Sequence, residues 1–467
     1  MQRRPSIKIC RARGTKVECF IGIDLGSTTT KAVIIDRNRN ILGSGITNSR
    51  SNYDVACKIA REEAFTNARF SLIRGKAKQR GLLNSEGEKA LVRLGNEFFV
   101  QDFLIQLWNL RDLATERLRN ERYATSRLTL QKILREIFED IEEKAMKDVG
   151  GGGRRKSDFF RDLAGAYYQE SAERYAREGK IPFELLMSVF DGVIFLVENS
   201  MEEKGFAEIM KGLFDRVGFG IFPKERETDW RELIEATAST PFNEAGMIGT
   251  GYGRQRLPFP KECIQSEILC HGYGAHHMFG GTATVLDIGG QDTKAIQVDE
   301  RGVVTSFQMN DRCAAGCGRY LGYIADEMNI GLHELGPLAL EAGKCVRINS
   351  TCTVFAGAEL RDRLALGERR EDILLGLHRA IILRAMSLLA RSGGIRNEFT
   401  FTGGVAKNPA AVKALGQLVY ENYGEMQMNI HPDSIFTGAL GAALFGLERP
   451  AAQMLPTNQV LSRPRES

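Results

Sequence analysis

Two stretches of this chain carry the same order of apolar and polar positions. The apolar run "CFIGI" (Cys19–Ile23) leads to Asp24, a polar turn and an alternating segment that ends at Asp36. The run "ATVL" (Ala283–Leu286) leads to Asp287, a polar turn and a second such segment that ends at Asp299. "DLGSTTTKAVIID" and "DIGGQDTKAIQVD" align without a gap, and Asp, Gly, Thr, Lys, Ala and the last Asp recur in register. Each copy predicts a strand, a turn and a strand, then a further turn ("RNRN", "ERG") and a third strand ("ILGSGI", "VVTSFQM"). One β-hairpin unit used twice predicts two related α/β lobes.

The region between the copies, roughly Glu62 to Ala238, has a different period. "KALVRLGNEFFVQDFLIQLWNLRDLATERL" and "LTLQKILREIFEDIEEKAMKDV" place apolar residues three and four apart, which predicts helices. "GGGGRRK" (Gly150–Lys156) interrupts them and reads as a flexible loop. The region reads as a helical insertion that packs on the lobes or on a partner subunit, with core rather than catalytic side chains. The segment after Arg449 is Pro-rich and polar, as a flexible tail would be.

Composition narrows the classes. The chain has 467 residues, 43% hydrophobic and 26% charged, with a net charge of +4, too small over this length to argue for nucleic acid. The first twenty residues lack the apolar core of a signal peptide, and no uninterrupted apolar run reads as a membrane span. The expected location is cytoplasmic, where thiols stay reduced. The nine cysteines are therefore packing, metal or redox residues rather than a disulfide framework.

An acidic residue that ends a strand before a Gly-containing, hydroxyl-bearing turn suits a Mg2+–phosphate site. Backbone N–H groups and hydroxyls face the phosphates, and the Asp holds the metal, often through water. Asp24, Gly26, Ser27, Thr28, Thr29 and Lys31 offer this on one copy, and Asp287, Gly289, Gly290, Gln291 and Lys294 on the other. A third Gly-rich turn, "FTGGVAKNP" (Phe401–Pro409), follows the strand-like "EFTF"; Gly403 and Gly404 let the backbone approach an adenine or ribose. Plain tight hairpin turns are the alternative reading. No G-x-x-x-x-G-K-[ST] is present, so this is not a P-loop protein.

The order of these motifs resembles the superfamily of actin, hexokinase and the 70-kDa heat-shock proteins, in which two ribonuclease-H-like lobes clamp ATP between two phosphate loops and an adenosine loop. The resemblance implies that Asp24 and Asp287 serve Mg2+ or the attacking water, with Gln291 a further catalytic candidate, and that Gly403, Gly404 and Asn408 lie near the nucleoside. "FTGALGAALFG" (Phe436–Gly446) resembles the second connecting helix of that superfamily. The chain then divides into 1–61, the N-terminal part of the first ATPase lobe; 62–238, the helical insertion; 239–449, the remainder of the ATPase fold; and 450–467, the tail.

Cys313 precedes "AAGCGRYLGYIADEM", and Cys352 precedes "TVFAGAELRDRLALG". Both downstream segments read as helices, the second with Thr351 or Ser350 as a cap. The positive end of a helix stabilises a thiolate or an anionic iron–sulfur cluster. Two thiols cannot fill a four-thiolate site, but two from each of two subunits can. Buried thiols acting as small hydrophobes are the alternative, and Cys270 and Cys345 read that way. His271, His276 and His277 read as structural residues of a Gly-rich turn.

"DIGGQDTK", "MNDRCAAGCGRYL", "STCTVFAGAEL" and "FTGGVAKN" together resemble the ATPase family of 2-hydroxyacyl-CoA dehydratase activators and benzoyl-CoA reductase ATP-binding subunits. The resemblance covers roughly Phe20–Ser49 and Met247–Leu447. It implies a 4Fe-4S cluster shared by two such subunits, with Cys313 and Cys352 as this chain's ligands, and ATP hydrolysis that drives electrons from reduced ferredoxin to a low-potential acceptor. Family members commonly have Thr where this chain has Cys317. Because one reductase ATPase subunit is longer than the compact activators, the insertion favours the reductase, with a homologous ATPase subunit and two substrate-binding subunits as partners. A dehydratase activator, a small-molecule kinase of the same fold and a chaperone-like ATP-binding protein are the alternatives.

Overall fold

The duplicated pattern folds as two meanders with one register. The computed structural model describes residues 16–49, 52–150, 160–199, 205–251, 257–311, 317–348 and 353–449. Strands β1 (Val17–Leu25), β2 (Thr29–Ile35) and β3 (Ile41–Asn48) pair antiparallel in succession. After β4 (Phe242–Gly251), strands β5 (Thr284–Ile288), β6 (Thr293–Val298) and β7 (Val304–Asn310) do the same. Asp24 lies opposite Lys31, and Asp287 opposite Lys294. Even the irregularity repeats: the register shifts between Ile34 and Ile35 in one copy and between Gln297 and Val298 in the other.

The last Asp of each copy is a turn residue. Asp36 Oδ1 accepts the N–H groups of Asn38 and Asn40 at 2.8 Å, and Asp299 Oδ1 accepts those of Arg301 and Val303 at 2.9 Å. This is the short side-chain turn that favours Asp at such positions.

The strands form a four-stranded sheet, ordered β3-β2-β1-β4, and a five-stranded sheet, ordered β7-β6-β5-β8-β9. In the second, β8 (Phe399–Thr402) runs parallel to β5, and β9 (Met428–Asn429) parallel to β8. Strands β5, β6 and β8 are buried along their whole length, as expected of strands covered on both faces.

The chain forms two compact units. Among the described residues, one comprises those up to Val17 and within Thr66–Phe242; the other comprises those of Glu18–Phe65 and from Asn243 to Arg449. The first unit is helical: the second half of α1 (Tyr53–Gln79), then α2 (Ser85–Arg117), α3 (Arg127–Ala145), α4 (Phe160–Arg177), α5 (Phe183–Asn199), α6 (Phe206–Val217) and α7 (Glu227–Ala238). Its apolar stripes meet in two clusters, one around Leu104, Leu134 and Tyr168, the other around Leu94, Leu213 and Trp230. Helix α3 ends in one wider turn, Met146–Gly150. The rest of the predicted glycine-rich loop and the tail after Arg449 lie outside the described residues.

The second unit adds α8 (Glu267–Met278), α9 (Gly318–Met328), α10 (Leu335–Leu340), α11 (Thr353–Ala365), α12 (Arg370–Ser392), α13 (Pro409–Tyr423) and α14 (Thr437–Glu448). The segment holding the three histidines, expected as a Gly-rich turn, is helix α8. Its glycines serve packing rather than turning. A Cβ on Gly274 would strike the Thr437 carbonyl, and one on Gly441 the Cys270 carbonyl, so α8 and α14 touch backbone to backbone. Gly22 of β1 admits α14 in the same way, at Ala439 and Ala443.

One helix, α12, is long and apolar enough to cross a membrane by length and composition, although Arg379 and Arg384 interrupt its apolar run. Its Leu374, Leu377, Ile381, Ile382 and Leu389 are buried in the core of the second unit, which accounts for the apolar composition. Cys345, expected inside, is exposed.

Candidate functional site

Each copy brings its strand-end Asp and its hairpin Lys to one place, because the two occupy opposed register positions across the turn. Asp24 and Asp287 are both buried. The turns themselves match: Gly26 N–H donates to the Thr29 carbonyl at 3.2 Å, and Gly289 N–H to the Asp292 carbonyl at 2.9 Å. The two turns also meet, for a Cβ on Gly290 would collide with Thr28 Oγ1. Gly26, Ser27, Thr28 and Thr29 therefore lie across from Gly289, Gly290 and Gln291, all from the second unit.

The two lysines differ. Lys31 Nζ makes a single long contact, 3.5 Å, with Asp24 Oδ2. Lys294, 1% exposed, is held by Asp292 Oδ2 at 2.8 Å, Glu267 Oε1 at 3.0 Å and Asp287 Oδ2 at 3.4 Å. Burial works against its charge, but the three carboxylates outweigh it and hold its pKa well above the ordinary value. Lys294, expected to meet a phosphate, thus has as many carboxylate neighbours here as an ammonium group has N–H donors.

Asp287 is held at both oxygens, its Oδ2 by Lys294. Its Oδ1 accepts from Thr402 Oγ1 at 2.8 Å and lies 3.6 Å from His271 Nδ1. Burial alone would raise its pKa; His271, Lys294, Thr402 and Lys31 outweigh burial and hold it at about 2. Asp24 is the opposite case, because its buried Oδ1 has no hydrogen-bond partner. Asp24, Glu267 and His271 place one ligand atom each within 4.8 Å of one another. Four carboxylates (Asp24, Glu267, Asp287, Asp292) gather here around two ammonium groups (Lys31, Lys294). An unpaired buried carboxylate oxygen in a carboxylate-rich cluster fits a hard divalent cation, and Asp24 is the residue that offers it an open oxygen.

Glu267 and His271 were not among the sequence-predicted site residues. They stand four apart on α8, the spacing that puts two side chains on one helix face, and Gly272 and Gly274 in that segment masked the helix. Burial pushes the Glu267 carboxyl up, and Lys294 pulls it back.

The third turn closes on the same point. Gly403, with φ 88°, sits where a Cβ would meet the Ile288 carbonyl and lie 3.0 Å from Asp287 Oδ1, so glycine is required there. Gly404 begins a short 3-10 turn, and a Cβ there would have no neighbour within 4 Å. Asn408 is committed to the protein: its Oδ1 caps α13 through Ala410 and Ala411 N–H at 3.0 and 3.2 Å, and its Nδ2 lies 2.9 Å from His378 Nε2. His378 Nδ1 lies 2.7 Å from the Leu374 carbonyl, which makes Nε2 the acceptor of the Asn408 amide. Burial lowers the His378 pKa and keeps the ring neutral.

Cys313 and Cys352 lie outside the described residues, as do Ser350 and Thr351. The helix expected straight after Cys313 begins five residues later, at Gly318, with the buried Cys317 at its N-cap. Helix α11 begins at Thr353, directly after Cys352 in sequence. Helices α9 and α11 lie against each other, with the Tyr323 hydroxyl over Gly357 and Arg361 paired with Glu327.

Two hairpin repeats with facing turns after Asp24 and Asp287, and two helices packed through glycine, define a protein of the actin, hexokinase and 70-kDa heat-shock fold. The solved structure of component A of (R)-2-hydroxyglutaryl-CoA dehydratase from Acidaminococcus fermentans has this fold, with a TM-score of 0.51 at 22% identity over 93% of this chain and 99% of that one. The chain belongs to the BadF/BadG/BcrA/BcrD ATPase family, whose model matches residues 21–446. It is 39% identical over 220 residues to the (R)-2-hydroxyglutaryl-CoA dehydratase activating ATPase of A. fermentans, covering 47% of this chain and 82% of that protein. It is 40% identical over 233 residues to the activator of lactoyl-CoA dehydratase of Anaerotignum propionicum (50% and 86%). Against one of the benzoyl-CoA reductase subunits of Thauera aromatica it is 34% identical over 232 residues (48% and 82%).

Proposed function

We propose that this ATPase is the electron-transfer component of an acyl-CoA enzyme system, coupling MgATP hydrolysis to delivery of low-potential electrons through a 4Fe-4S cluster that two subunits share. The observation that carries the nucleotide half is the open Asp24 carboxylate between two facing Asp-Gly turns. In this reading Asp24 anchors the cation, Lys31 meets the phosphates, and Gly403 lets the backbone approach the nucleoside. Lys294 holds Asp287 and Glu267 in fixed positions. Glu267 and Asp287 are then the buried carboxylates placed to orient water at the phosphate. A divalent cation held by Asp24 would supply neutralisation of the phosphate charge.

The electron-transfer half rests on Cys313 and Cys352. Their support is the packing of α9 on α11, the helices that follow the two cysteines. Reduced ferredoxin is the donor in this reading.

Two settings compete for the acceptor. Identity of 39–40% to dehydratase activators, against 34% to the reductase polypeptide, favours a 2-hydroxyacyl-CoA dehydratase as the partner. Coverage does not separate the settings: the match to that polypeptide covers 48% of this chain, against 47% and 50% for the activators. Benzoyl-CoA reductase, with two substrate-binding subunits and a homologous ATPase subunit, is the second reading.

The test is iron and acid-labile sulfide on anaerobically purified protein, with EPR after reduction, with and without MgATP. One 4Fe-4S cluster per pair of chains is expected, lost in Cys313→Ser and in Cys352→Ser with nucleotide binding retained. Iron-free protein that still hydrolyses ATP would overturn the electron-transfer role. Reconstitution with a 2-hydroxyacyl-CoA dehydratase, or with benzoyl-CoA reductase subunits, separates the two settings.

A further inference from the structure

The second turn is tied by its carbonyl groups to the start of a helix. Gly318 N–H donates to the Gly289 carbonyl and Arg319 N–H to the Gly290 carbonyl, both at 2.8 Å. In a trans peptide the C=O and the following N–H point to opposite sides. Holding the Gly289 carbonyl toward α9 therefore turns the Gly290 N–H away from it, and holding the Gly290 carbonyl does the same for the Gln291 N–H. Gly289 N–H is already spent inside the turn on the Asp292 carbonyl. Two consecutive amides are left aimed at the side of the turn away from α9, and the Thr28 hydroxyl of the other copy lies close beside Gly290. Consecutive backbone N–H groups with a common aim make an anion-binding nest.

The first copy meets the same requirement with different atoms. The Gly26 carbonyl, the register equivalent of that of Gly289, accepts from Ser49 Oγ, and Ser49 N–H donates to the Thr28 carbonyl at 2.8 Å. Ser49 follows the third strand of its copy, and Gly318 comes after the third strand of the other. Both turns thus have the equivalent carbonyl latched by the chain that returns from β3 or β7.

We infer that Gly318 and Arg319 are positioning residues for the phosphate of the nucleotide: their backbone N–H groups fix the Gly289 and Gly290 carbonyls and thereby preset the Gly290 and Gln291 amides. This rests on the nucleotide site proposed above. Gly318 is itself constrained, because a Cβ there would lie 3.1 Å from the Gly289 oxygen and 3.4 Å from Val405 Cγ2. By linkage, a phosphate held by the preset amides stabilises the docked start of α9 by the same free energy with which α9 improves phosphate binding.

Gly318→Pro breaks the latch, both by removing its donor and by crowding the Gly289 carbonyl. Proline lacks the N–H, yet suits the first position of a helix, and Cys317 already has the extended backbone (φ −135°, ψ 176°) that precedes proline. In the full chain, MgADP affinity is expected to fall at least about tenfold, the loss of one charge-assisted hydrogen bond. Adenosine affinity stays within about twofold, because the nest touches phosphate alone. On the native chain, hydrogen exchange at the Gly318 and Arg319 amides slows when MgATP binds; this arm stands even if the variant folds poorly. Native-like MgADP binding by the variant, or exchange at those amides unmoved by nucleotide, overturns the latch. A native chain that binds no adenine nucleotide overturns the nucleotide site itself.

Discussion

Lys31 and Lys294 occupy the same register position of a duplicated hairpin, yet one has a single carboxylate contact and the other three. Removing a cation from a buried cluster leaves its partners uncompensated, at a cost of roughly 3–5 kcal/mol. Lys294→Met should therefore lose about that much stability in denaturant titration. Lys31→Met should keep most of its stability while MgATP binding weakens roughly tenfold, the loss of one charge-assisted contact to phosphate. A Lys294→Met protein as stable as the native chain would show that the carboxylates do not depend on it. Both lysines read as phosphate ligands in the sequence because repetition shows equivalent positions, not which ammonium group other chain segments later surround. Asp292 is local, but Glu267 comes from a separate helix, and nothing near "DTK" announces it.

At the scale of elements, legibility followed periodicity. The alternating and continuous apolar runs gave β1–β3 and β5–β7, because a strand's burial depends on its own residues and its immediate neighbours in the sheet. Helix α8 was hidden, since Gly272 and Gly274 are poor helix formers in isolation and are present for the approach of other elements. The same physics gives a paired prediction. Gly441→Ala puts a Cβ against the Cys270 carbonyl and should cost about 1–3 kcal/mol, as overpacking does. Gly322→Ala, mid-helix in α9 with nothing within 4 Å of the new Cβ, should stabilise by about 0.5–1 kcal/mol. Thermal unfolding of the two variants checks both signs; equal shifts would refute the account of backbone contact between α8 and α14.

For the whole molecule, every described residue of the candidate site belongs to the unit built from Glu18–Phe65 and Asn243 onward. The helical unit leaves and returns at neighbouring points, because Arg61 Nη2 meets Glu244 Oε1 at 2.5 Å. Replacing residues 66–241 by a short Gly/Ser linker should therefore leave MgATP affinity within about threefold, a range under 1 kcal/mol, as calorimetry can measure. Loss of all nucleotide binding in a folded variant would place part of the site in the helical unit. The helical period of the insertion was legible; its purpose was not, because amphipathic stripes specify burial and not what the exposed faces meet.

The sheet order β3-β2-β1-β4 has a consequence for the chain as it is made. β1 is synthesised early, and its second neighbour in the sheet begins only at Phe242. At roughly 5–20 residues per second, β1 waits on the order of ten to forty seconds with one edge unpaired, while the helical unit emerges whole. An open, apolar strand edge is an invitation to pair with another chain. The nascent protein therefore passes through a stage in which its helical part can be complete and its nucleotide-binding part cannot, and its demand on chaperones should peak there, before β4 leaves the ribosome.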